Sequence, residues 1–186
     1  RSSRLPEGIE EVDPTRYRVA HLKGLTPEQL LHALLRATGN EAVRTQPAPE
    51  GATFDRRGYF TGTNPDLPTA YRDIRTIFAE TFGEPAGVPE DDFAPGLNKA
   101  LYLMNDRLVL SWLQPKDDNL IARLERLASA GAVADELYFN VLSRPPDDAE
   151  RAEVAGYLET HHERRSSALA DLAWALLTST EFRLNH

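Results

Sequence analysis

Residues 136–162 read ELYFNVLSRPPDDAERAEVAGYLETHH. Apolar side chains recur at Leu137, Tyr138, Val141 and Leu142 before the two prolines, and at Val154, Tyr157 and Leu158 after them. Both runs have helical spacing. Pro145 has no N–H to donate and disfavours the α conformation at Arg144, so the first helix ends near Ser143. Asp147 is then the N-cap of the second helix, and Glu150, three residues on, is placed for a capping-box closure. Asp148 and Glu150 also favour the positive end of the helix dipole. A joint this short and stiff packs its two helices at a fixed angle. Arg144 is placed to bridge to a helix C-terminus or to a carboxylate such as Glu181.

The same patterning extends to both sides of the joint. LTPEQLLHALLRATGN (25–40) is the cleanest helix. Thr26 is its N-cap, Pro27 fits the first helical position, Gln29 completes a capping box, and Gly39 and Asn40 suit a left-handed ending. Residues 69–83 are helical, with Tyr71, Ile74, Phe78 and Phe82 on one face. GLNKALYLMNDRLVLSWLQ (96–114) is apolar on more than one side, which marks a central, buried helix. Further helices are expected over 117–131, from 132 to about 143, over 148–162, and over 167–179.

The expected fold is all-α, an irregular bundle of about seven helices. An extended N-terminal arm (1–25) precedes a single helical domain (26–186) with one long loop, 41–68. Within the arm, YRVAHL (17–22) alternates enough for a short strand. The loop is longer than the ~12–15 residues usual in compact domains. Its FDRRGYF stretch (54–60) reads as an anchored loop, with a ligand contact as the alternative.

Composition narrows the function. A 186-residue chain buries a sizeable core without metals or disulfides. The absence of cysteine excludes disulfides, thiolate nucleophiles, iron–sulfur ligation and covalent haem attachment within this chain. A net charge of −8 is unsuited to nucleic acid, whose phosphates demand a basic face. No apolar run approaches the ~20 residues of a membrane span. The chain opens RSSRLPEG, without Met or signal peptide. That leads to the expectation of a processed or longer polypeptide.

Three stretches together resemble the C-terminal domain of unknown function of large planctomycete proteins. The turn and end of the chain match at Leu142 to Pro146, Glu150, Trp174 to Leu177, Glu181, Phe182, Asn185 and His186. The family's central helix is matched by Ala100, Leu101, Leu103, Met104, Asn105 and Val109, and its LTPEQL segment by residues 25–30. The resemblance covers about residues 17–186. It implies an extracytoplasmic setting in the periplasm or cell envelope, upstream domains of the same polypeptide as partners, and association with cytochrome-c-like domains. The family has no established catalytic residues, so none carries over. The joint is similar also to a shorter helical module of secreted bacterial surface proteins, but Glu150 and Arg151 stand where that pattern has its glycine region.

The remaining candidate chemistry reads as structure. His161 and His162 point about 100° apart on a helix and chelate poorly; they suit the negative C-terminal end. The pairs Asp91-Asp92, Asp117-Asp118 and Asp147-Asp148 precede helices, where acids cap, and no calcium-loop pattern is present. There is no P-loop, nucleophile elbow or dinucleotide fingerprint. No catalytic, cofactor or metal residue is therefore assigned. The expected function is a non-catalytic packing or interaction module. The alternatives are part of a glycan-related hydrolase sharing its site with upstream sequence, lined by loop 41–68 and the acidic segment 84–92, and a docking surface for a cytochrome-c-like domain. An exposed apolar patch around Trp112 or Trp174 would favour the module.

Overall fold

A computed structural model of the chain describes residues 23–44, 71–83 and 107–185. The expectations for residues 1–22, for most of loop 41–68, for 84–92 and for the first part of the 96–114 helix lie outside the described residues. The protein is all-α. Its helices are α1 (Pro27–Thr38), α2 (Tyr71–Phe82), α3 (Arg107–Ser111), α4 (Leu120–Glu125), α5 (Ala130–Leu142), α6 (Asp148–Thr160), α7 (Arg165–Leu177) and α8 (Thr180–Arg183). Short 3-10 turns occupy Glu41–Arg44, at the head of the expected long loop, and His162–Arg164.

The termini of α1 form as its sequence requires. The Thr26 hydroxyl accepts from the Gln29 N–H, and the Gln29 side chain accepts from the Thr26 N–H at 3.0 Å. At the other end Gly39 takes φ 74°, its N–H donates to the Arg36 carbonyl, and the Asn40 N–H donates to the Leu35 carbonyl at 2.8 Å. Those two bonds are a Schellman ending. A Cβ at Gly39 would also lie 3.2 Å from the Asn119 Cα, a tight contact that adds to the preference for glycine at this left-handed position.

Several boundaries differ from expectation: the helix expected over 96–114 ends at Ser111, and the one expected over 167–179 spans Arg165–Leu177. The helix expected over 117–131 stops at Glu125, and the next begins at Ala130 rather than 132. The reason is Ser129, whose side chain accepts from the Ala132 N–H at 3.1 Å and caps α5. Gly131, which reads as a stop, lies inside the first turn of α5. A further short helix, α8, follows α7 because Ser179 starts a fresh cap, accepting from the Phe182 N–H.

α5 is the hub. It packs against α1, α4, α6, α7 and α8, while α1 also holds α2 and α4 holds α7. Leu31, Leu34 and Leu35 of α1, Ile74 and Phe78 of α2, Leu120, Ile121 and Leu124 of α4, Val133 and Leu137 of α5 and Leu169 of α7 are fully buried. Each such side chain contributes about 1.5–3 kcal/mol. Trp112, just past α3, is buried against Phe78, with ring centroids 6.3 Å apart. In the described part of the 96–114 stretch, Val109 of α3 and Trp112 and Leu113 just beyond it are buried, whereas Leu110 is exposed.

Among the described residues the chain also makes one small antiparallel ladder, β1 (Lys23–Gly24) with β2 (Leu184–Asn185), pairing Lys23 with Asn185 and Gly24 with Leu184. The next residue, Leu25, continues it by donating its N–H to the Arg183 carbonyl at 2.9 Å. The end of the N-terminal arm is thus laid along the end of the helical domain.

Candidate functional site

The Arg144 joint gathers five side-chain hydrogen bonds on one guanidinium. Ser143 closes α5 in the left-handed conformation, φ 57°, which turns the chain into Pro145 and the buried Pro146. Asp147 caps α6 by accepting from the Glu150 N–H at 2.8 Å, and Glu150 accepts in return from the Asp147 N–H at 2.7 Å. Glu150 is thereby fixed with its carboxylate beside Arg144. The guanidinium donates from Nη1 and Nη2 to Glu150 at 2.8 and 2.7 Å, and from Nε and Nη2 to Glu181 of α8 at 2.6 and 2.9 Å. A fifth bond, from Nη1, reaches the Pro145 carbonyl at 3.2 Å. The plane also lies 5.3 Å from the centre of the Tyr138 ring.

Electrostatics follow from this packing. Arg144 is stabilised further in its charged form by its bonds to Glu150 and Glu181. The same bond holds the Glu150 carboxyl below its usual range. Burial, and then the neighbouring Glu150 charge, push the Tyr138 hydroxyl up. A guanidinium has five N–H donors, and the five bonds here are all internal. Chemically, the joint can hold three helices in register; it offers no donor to an anionic ligand.

A second polar knot was not read from the sequence. Asn119, 3% exposed, caps α4 by accepting from the Ala122 N–H, and its amide donates to the Gln114 carbonyl at 2.7 Å and the Trp112 carbonyl at 3.4 Å. The Asn40 amide donates to the same Trp112 carbonyl at 3.1 Å and to the buried Thr38 hydroxyl at 2.9 Å. Arg123 joins α4 to α5 through Glu136 at 2.8 Å and Asn140 at 2.8 Å. In the pair Asp117-Asp118, neither acid caps: Asn119 does, while Asp118 pairs with Arg126 and Asp117 sits at φ 49°.

Between the end of α3 and the outer face of α7 lies an open cleft of about 600 Å³. One wall is Leu110, Leu113, Gln114 and Pro115; the other is Ser166, Ser167, Ala170, Asp171 and Trp174. Leu110 is 36% exposed. Trp174 is half-buried, and its Nε1–H is enclosed without an acceptor among the described residues. The Tyr157 hydroxyl of α6 donates to Asp171 Oδ2 at 3.1 Å, which orients that carboxylate. Burial and the Asp171 bond raise the Tyr157 hydroxyl above its ordinary value.

The residues singled out from the sequence separate into groups. Thr26, Pro27 and Gln29 start α1; Arg144, Pro145, Pro146, Asp147, Glu150 and Glu181 meet at the joint; Phe182 is buried beneath α8; Asn185 lies in β2; Trp174 lines the cleft. Met104, Asn105 and His186 lie outside the described residues. His161 stacks on Tyr157 at 4.2 Å and donates from Nδ1 to the Tyr157 carbonyl at 2.9 Å; the exposed His162 donates to the Glu159 carbonyl. Both histidines therefore serve a helix end. Among the described residues no group of three His, Asp or Glu side chains gathers that could hold a metal, and no helix is long and apolar enough to cross a membrane. Comparisons with family models, curated proteins and solved structures returned no match.

Proposed function

We propose that the chain is a non-catalytic helical interaction module within a larger extracytoplasmic protein, docking on other domains of that polypeptide or on a partner such as a cytochrome-c-like domain. The observation that supports this reading is the cleft beside Trp174. It is an open, partly apolar surface with Leu110 exposed at its rim, on a body in which Arg123 and Arg144 are consumed in joining helices. Apolar surface left open beside a rigid frame is what an association site requires. The family resemblance supports the extracytoplasmic setting and the upstream partners.

Photo-crosslinking tests it. A benzoylphenylalanine at position 110, in the full protein in the cells that make it, is expected to give a discrete protein adduct. The same probe at the exposed position 125 on α4 is expected to give none. No adduct from position 110, or the same adducts from both positions, would overturn the reading.

A further inference from the structure

We draw no further inference here: the strongest candidate, the exposed apolar side chain of Phe139 on the outer face of α5, carries nothing, because nothing in the structure shows what covers it.

Discussion

At the scale of single residues, Arg144 carries the greatest share of polar organisation. Its side chain is 35% exposed, and those of Glu150 and Glu181 are 22% and 37% exposed. Solvent screens pairs at this depth, and a single exposed pair contributes only ~0.2–1 kcal/mol. Two forked pairs sharing one guanidinium contribute more, because each bond is charge-assisted and the geometry is fixed once for both. Arg144→Ala is expected to lower stability by about 1–2 kcal/mol. In a chain of this length that is ~3–6 °C in the thermal midpoint. Arg144→Lys keeps the charge but loses the fork, and recovers less than half of the difference. The pH dependence has a definite sign. Glu150 is held below its ordinary value of 4.5 in the folded state, chiefly by Arg144. Its contribution is therefore present above that value and is lost as the pH falls through the lowered one. Urea midpoints taken from about pH 7 to about pH 3 should show the gap between parent and Arg144→Ala narrowing on acidification. A gap that stayed constant would mean that the ion pair is not the source of the difference.

At the scale of elements, glycine and asparagine mark what each helix gains or loses locally. Gly156 lies mid-way along α6, exposed, and a Cβ there would meet nothing within 4 Å. Its flexibility serves no turn, and a helix interior penalises it by ~0.5–1 kcal/mol against alanine. Gly156→Ala is thus expected to raise stability by about that amount, read as a higher urea midpoint at unchanged slope. Asn119 is the opposite case, since one side chain caps α4 and also ties two carbonyls of the preceding turn. Asn119→Ala should cost about 1–2 kcal/mol, the cap plus the Gln114 carbonyl left without this donor, since Asn40 still serves the Trp112 carbonyl. Asn119→Ser keeps a capping oxygen but no amide donors, so it should fall between the parent and Ala. Equal losses for Ser and Ala would show that capping contributes little here. These two residues also show where reading by sequence stops. The caps at Thr26 and Asp147 are legible because their partners stand three residues away and follow a local rule. Asn119 contacts Trp112 and shares that carbonyl with Asn40, which is 72 residues distant from Trp112. No local pattern announces a contact of that kind. The start of α5 is by contrast a local matter: the Ser129 cap, three residues from its partner Ala132, outweighs the cost of Gly131 in the first turn, under about 1 kcal/mol.

At the scale of the whole molecule, the described chain is closed by its last helix. α8 is only four residues long, too short to persist by propensity alone. It is held by three contacts from elsewhere: Glu181 on Arg144, Phe182 in the core, and the β1–β2 ladder with its neighbouring Leu25 bond. The pairing of Arg144 with Glu181, 37 residues away, was accessible from sequence because a forked cation at a stiff joint needs a carboxylate. The cleft was accessible only in part. The sequence names Trp174 as a centre for an apolar patch, but the opposite wall of Leu110 and Pro115 is set by packing between α3 and α7. The consequence of the closure is cooperative loss. Phe182→Ala removes the apolar anchor of α8 and should cost about 3 kcal/mol, the low end for a buried aromatic because Phe182 retains some exposure. The loss should be local before it is global. In native-state hydrogen exchange, the Leu25 amide, bonded to the Arg183 carbonyl, should lose protection together with those of α8. The amides of α1 and α4 that enclose Leu34 and Leu124 should exchange only by global unfolding. If Leu25 kept its protection while α8 lost its own, the arm would be held by something other than the C-terminal ladder.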